Sequence, residues 1–352
     1  MNRFFKQNIL LAIIIILIAC KEDDGKTPVN PPPISEGEFV NPVLLSAPDP
    51  WVEQKDDMYY FTHTTGNSIR LYRTKEMSEL SQSEVKTIWS PPASGMNSKN
   101  IWAPEIQFLN NKWYFYYAAD NGENRNHRMY VLENTSPDPF TGSWTDKGKL
   151  PLPEDRWAID GSAFEHNGKL FYMWSGWEGD VDVQQNIYIT EMSDPLTPTS
   201  ERILLSKPEH AWEKIGSSPA VNEAPQFLAH GDKVFVFYSA SGCWTDDYTI
   251  GMLTANANAD LLNPTSWTKS ASPVFVKNPD GQVFGPGHNG FFTSPDGNED
   301  WIIYHANPAS GQGCGGFRST RMQKFTWNEN GTPNFGSPVA AGSKVQRPSG
   351  EL

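Results

Sequence analysis

Three acids and a histidine stand at the head of a short pattern that the chain repeats five times. The copies begin at Asp49 (DPWVEQKDDMYYF), Ala103 (APEIQFLNNKWYFYY), Asp160 (DGSAFEHNGKLFYMW), Glu223 (EAPQFLAHGDKVFVFY) and His288 (HNGFFTSPDGNEDWIIYH). Carboxyl groups that converge can share acid–base work. Hydrolysis of a glycosidic bond needs one acid to protonate the leaving oxygen, and a second carboxylate to activate water or attack the sugar. The acid must hold its proton near neutral pH, which burial or a neighbouring carboxylate achieves. Glu223, in Asn222-Glu223-Ala224-Pro225, is followed by residues that enter a strand, and reads as the raised-pKa acid. Asp49 lies in an Asp-Pro turn and Asp160 before a strand. The repeats alone leave open which acid is the base. His288 sits among glycines that allow close backbone approach, where an imidazole orders water or a central ion.

The elements that would bring these residues together are short strands. Each copy reads as strand, turn, strand, with turns at Asp56-Asp57, Asn110-Asn111, Asn167-Gly168, Gly231-Asp232 and the longer Pro295–Asp300. The second strands are aromatic and alternating, as half-buried strands are. A period of roughly 55–65 residues built from short strands implies an all-β fold, a five-bladed β-propeller. Equivalent positions on successive blades then meet at the central axis.

Other residues are candidates for holding a substrate. Trp51, Trp102 and Trp177 offer aromatic faces suited to the apolar face of a sugar ring. Most of the remaining aromatics are expected to pack between blades. Glu105 follows Trp102-Ala103-Pro104 and is expected at the channel mouth or in solvent. Arg321 is placed to bind sugar hydroxyls, with Arg318 as the competing choice.

The 352 residues suit one large domain. A net charge of −13 argues against nucleic acid and against an acidic polysaccharide, and favours a neutral glycan. There is no Cys/His spacing of a zinc site. Residues 1–20 have the shape of a signal peptide: Arg3 and Lys6, then an apolar run from Ile9 to Ile18. The run ends Leu17-Ile18-Ala19-Cys20, which resembles a bacterial lipobox and implies lipidation of Cys20 and anchoring in the cell envelope. Residues 21–38 read as a flexible, Pro-rich tether, leaving 39–352 as the propeller. An oxidising compartment permits, without requiring, a disulfide between Cys243 and Cys314.

As a set, five motifs resemble glycoside hydrolase family 43: Ala-Pro-Asp-Pro around Asp49, Trp-Ala-Pro-Glu ending at Glu105, Ile-Asp-Gly-Ser around Asp160, Asn-Glu-Ala-Pro around Glu223, and Gly-Pro-Gly-His-Asn around His288. The resemblance covers roughly residues 40 to 340. It implies an inverting glycosidase on a five-bladed propeller, with Asp49 as general base, Glu223 as general acid and Asp160 tuning the acid. It also implies no required cofactor, with His288 the place where a water-held calcium would sit. Inversion would set the two carboxyls roughly 6.5–9.5 Å apart. The chain ends soon after the fifth copy, without the C-terminal sandwich of some β-xylosidases, and the loop Ser239–Tyr248 looks like that of arabinofuranoside-cleaving members. The expectation is a monomeric, lipid-anchored enzyme that releases L-arabinofuranose from plant polysaccharide. An endo-arabinanase, a β-xylosidase and an inactive glycan-capture lipoprotein are the alternatives.

Overall fold

The computed structural model describes residues 37–352. The signal peptide, Cys20 and the tether up to residue 36 lie outside the described residues. Five antiparallel blades follow one another along the chain, the third and fourth joined into one sheet by a short parallel pairing of Gln184–Asp194 with Ala220–His230. Blade 1 comprises Trp51–Lys55, Met58–Thr62, Ile69–Thr74 and Glu84–Trp89. Blade 2 comprises Lys99–Leu109, Lys112–Asp120, Arg128–Asn134 and Thr145–Lys149. Blade 3 is built from Ala158–His166, Lys169–Trp177 and Gln184–Asp194, with Ile203–Ser206 along its outer edge. Blade 4 comprises Ala220–His230, Lys233–Ala240, Thr249–Asn256 and Thr268–Lys269. Blade 5 comprises Phe284–Thr293, Asp300–Asn307, Ser319–Trp327 and Pro333–Asn334.

The first strand of each blade packs beside the first strand of the next, and that of blade 5 beside that of blade 1. The fold is therefore an all-β, five-bladed β-propeller. Two-residue turns join the first and second strands of blades 1 to 4. Asn110 and Asn111, and likewise Asn167 and Gly168, have positive φ at both central positions. That is the backbone a two-residue hairpin needs to match strand twist, and Asn and Gly tolerate it best.

The alternating aromatics of the second strands fill the spaces between blades. Tyr60, Ile69 and Leu71 of blade 1 meet Ile106, Trp113 and Phe115 of blade 2. Tyr116 and Met129 of blade 2 meet Tyr172 and Trp174 of blade 3. Similar clusters join blades 3 and 4, 4 and 5, and 5 and 1. Trp301 is 1 % exposed in the last of these, and its truncation to Ala would cost about 3–5 kcal/mol.

The two ends of the described chain are tied together. Glu38–Val40 pairs antiparallel with Lys344–Gln346, so Glu38, expected at the end of the tether, already belongs to a strand. Asn41 continues the tie: its amide donates to the Met322 carbonyl at 2.8 Å and accepts from the Met322 N–H at 3.0 Å. Cys243 and Cys314 are joined in a disulfide between the loops of blades 4 and 5.

Candidate active site

The inner strands share a backbone device at one end of the axis. Asp49, Ala103, Asp160, Ala224 and His288 all adopt left-handed φ, between 40 and 56°. A non-glycine residue there is unusual and costs of order 1–3 kcal/mol, so it persists only where the surroundings enforce it. In blades 2 to 5 the strand register shifts beside this residue, as at Ile159/Ser162 and Glu223/Gln226. Such bulges re-aim side chains. The sequence alignment placed Glu223 level with Asp49 and Asp160. The backbone places Ala224 there instead, with Glu223 one residue earlier. A one-residue offset on a strand changes the direction in which the side chain leaves, so Glu223 approaches the axis differently from the two aspartates.

These residues line a cavity of about 430 Å³. Asp49, Asp160, Glu223, His288 and Arg318 belong to its polar lining, with Thr64, Asn124, Asp182 and Gln185. Trp102, Trp157 and Trp244 contribute aromatic walls, and Cys243 and Cys314 lie on one side. Asp49 is the most heavily braced. Its Oδ1 accepts from Arg318 Nη1 at 2.8 Å, and its backbone N–H donates to His305 Nδ1 at 3.0 Å. His288 Nδ1 lies 3.4 Å from the same carboxylate oxygen. Burial pushes the Asp49 carboxyl up, but the Arg318 guanidinium, with the two histidines beside it, outweighs burial and holds it well below the usual carboxylate range.

The opposite happens at the other acids. Burial raises Glu223 to about 7, with the Asp49 charge adding to the rise and a hydrogen bond from Tyr248 Oη at 2.7 Å opposing it. Asp160 is pushed upward by burial and by the charges of Glu223 and Asp49. Its Oδ2 accepts from the Ala224 N–H at 3.1 Å, which ties it to the residue next to Glu223. The site thus holds one carboxylate that stays ionised and a neighbouring acid pair that retains a proton near neutrality.

Several expected contacts fall elsewhere. Trp102 does line the cavity, stacked on His127 with ring centroids 4.1 Å apart. Trp51 does not: its indole N–H is spent on the Ile106 carbonyl at 2.7 Å, and its ring packs between blades 1 and 2. Trp177 is buried behind the wall, stacked on Trp157 at 4.9 Å, so Trp157 is the ring that faces the cavity. Glu105, expected at the mouth or in solvent, is buried and accepts from Gln226 Nε2 at 2.6 Å and Gln107 Nε2 at 3.3 Å. Arg321 is fully buried inside blade 5 in register with Tyr304, and Arg318 is the arginine at the site. The parity of the strand decides this: Arg318 precedes Ser319–Trp327 and is free to turn into the cavity. Sequence reasoning also passed over Trp157 and His305. The repeat did not mark Trp157, because it lies three residues before Asp160 whereas Trp102 lies one residue before Ala103.

The donors at His288 do not fit a directly held cation. The neighbouring Asp49 is already engaged by Arg318 and His305, and among the described residues no group of three or more His, Cys, Asp or Glu is arranged to hold a metal.

Known proteins resemble this chain in sequence and fold. The family model described as "Glycosyl hydrolases family 43" matches residues 39–333. An extracellular exo-alpha-(1->5)-L-arabinofuranosidase of Streptomyces avermitilis is 41% identical over 317 residues, covering 86% of this chain and 64% of the relative. The chain therefore spans just under two thirds of that relative's length. A Streptomyces chartreusis protein of the same description is 37% identical, covering 76% of this chain and 82% of its own. The crystal structure of an alpha-L-arabinofuranosidase from Lactobacillus brevis superposes with a TM-score of 0.81 at 38% identity, covering 86% of this chain and 98% of that one. With a family match over most of its length, a five-bladed frame and carboxyls pushed in opposite directions across one cavity, the chain belongs to glycoside hydrolase family 43.

Proposed function

We propose that the protein is an inverting, exo-acting α-L-arabinofuranosidase that releases L-arabinose from arabinan or arabinoxylan-type polysaccharide. One observation carries the reading: Asp49 is held ionised by Arg318, while Glu223, across the same cavity, is held protonated up to about 7. Environments that push two carboxyls apart in this way assign a base and an acid. Asp49 takes a proton from water as its oxygen attacks the anomeric carbon. Glu223 gives its proton to the glycosidic oxygen as that bond breaks, and the released sugar has the opposite anomeric configuration. Asp160 repels charge on Glu223 and, through the Ala224 N–H, keeps the acid's strand in place. Trp102 and Trp157 supply faces for the sugar ring.

The choice of arabinose and of exo action draws on the two Streptomyces relatives and the Lactobacillus brevis structure. The signal-like start and Cys20 favour a lipid-anchored protein of the cell envelope, and the relatives are described as extracellular. The test is digestion of linear and branched arabinan, followed by NMR of the first-formed anomer. Monomeric β-arabinofuranose is expected. Oligosaccharide release would make the enzyme an endo-arabinanase, xylose release alone a xylosidase, and binding without hydrolysis a glycan-capture protein. Glu223→Gln should lose about 100-fold or more on arabinan but much less on an aryl arabinoside with a good leaving group. Equal losses on both would remove Glu223 from the acid role.

A further inference from the structure

One loop of blade 4 serves the site twice. Residues 241–248 join Lys233–Ala240 to Thr249–Asn256, and their last member, Tyr248, donates to Glu223. In the middle of the same loop stands Trp244, which lines the cavity yet is 45% exposed. An exposed indole is ordinarily free to move, but this one is anchored on its inner side. Its N–H donates to the Gly216 carbonyl at 3.0 Å. It rests on Gly216 and Gly242, where an added Cβ would come within 2.8 Å of the indole nitrogen and 2.3 Å of the ring. The residue before it, Cys243, is bonded to Cys314 in the blade 5 loop that leads to Arg318. Asp246 adds a second tie between the loops, accepting from Gly311 N–H at 2.8 Å and from the Ser310 hydroxyl.

A rigid, half-exposed aromatic at a cavity rim loses little freedom when a ligand stacks on it. Its position fixes which part of the ligand that is. The general acid protonates the oxygen of the departing group, so that group must lie on the Glu223 side, and Trp244 stands on the loop that contacts Glu223. We propose that Trp244 is the platform for the leaving part of the substrate, and that the Cys243–Cys314 disulfide is a positioning element that keeps the platform in place. The inference rests on the acid assignment of Glu223. Its functional content is specificity: the pair favours a leaving group that is itself a sugar chain over a small one.

The test uses the full chain with α-1,5-linked arabinotriose as substrate and methyl α-L-arabinofuranoside as competitive inhibitor. The first reads the sugar pocket plus the leaving-group side, the second the sugar pocket alone. Trp244→Ala should raise KM for arabinotriose by about 3–10-fold, the worth of one aromatic contact, and raise Ki for the methyl glycoside by less than half that factor. Trp244→Phe should recover most of the loss. The Cys243→Ala, Cys314→Ala double variant should shift KM in the same direction by a smaller factor. Equal shifts of KM and Ki in Trp244→Ala, or no shift of either, would overturn the platform. An unchanged KM in a folded double variant would overturn the positioning role. If the double variant does not fold, the Trp244 variants decide. Absence of arabinose release by the wild type would instead overturn the proposed function, and this inference with it.

Discussion

Removing Arg318 tests the electrostatic division of labour most directly. The guanidinium lies 2.8 Å from Asp49 Oδ1, and both side chains are nearly buried, at 13% and 11% exposure. An opposite charge at that range lowers an aspartate by about 1–3 pKa units, and in Arg318→Ala burial pushes the carboxyl up against His288 and His305 alone. The base works only when ionised. The acidic limb of kcat/KM should therefore move up by about 1–3 pH units, with activity falling roughly tenfold per pH unit below the new limb. Arg318 also holds Glu223 down, so the alkaline limb, near 7 in the wild type, should rise as well. The whole profile shifts to higher pH. Arg318→Lys keeps the charge without the planar fork and should shift it less. Stability has its own sign. Because Asp49 is depressed when folded, its contribution is present above the usual aspartate range and is lost as pH falls through the folded value. Leaving it buried without its partner should cost about 3 kcal/mol near pH 7. The assay is kcat/KM from pH 3.5 to 9 beside urea melts. A uniform loss of activity with an unmoved acidic limb would refute the reasoning.

Three further outcomes are expected. Tyr248→Phe removes the hydroxyl that stabilises ionised Glu223, so the alkaline limb should rise by about one pH unit in the same assay. Gly161→Ala would set a Cβ 1.9 Å from Tyr172 Oη beside Asp160, and should cost at least about 1–3 kcal/mol in urea unfolding. Glu105, buried and raised to about 8, favours folding below its unfolded value near 4.5 and loses that advantage as pH climbs to 8. Wild-type stability should thus decline between pH 5 and 8, and Glu105→Gln should remove of order 3 kcal/mol of the decline.

The sequence disclosed the frame because turn chemistry and strand alternation are local. Asn110-Asn111 and Asn167-Gly168 announce their hairpins without reference to the rest of the chain. Asp49 and Asp160 were legible because the repeat places them at the same left-handed position. Glu223 was found by the same alignment, but its true offset depends on backbone φ at Ala224, which residue type does not betray. The supporting contacts were harder. Whether Arg318 or Arg321 reaches the cavity depends on where a strand begins and which way it faces. Whether Trp157 or Trp177 shows its ring depends on the stacking of the residue that precedes one strand of blade 3 on the last residue of the next. Glu105 looked like a surface acid because its amide partners, Gln107 and Gln226, give no sign in sequence that they converge on it.

The bond between Asp49 and Arg318 also orders events in time. The two residues are 269 positions apart, and His288 and His305, which complete the brace, likewise belong to the last blade. A chain grows from its N-terminus at about 5–20 residues per second, so Asp49 waits on the order of ten seconds or more for its partners to be made. Until then the aspartate lacks the guanidinium and imidazoles that keep it ionised and fixed in place. On the proposed assignment the catalyst is complete only once the last blade is made, and a fragment that ends before residue 318 would be silent however well its earlier blades had folded.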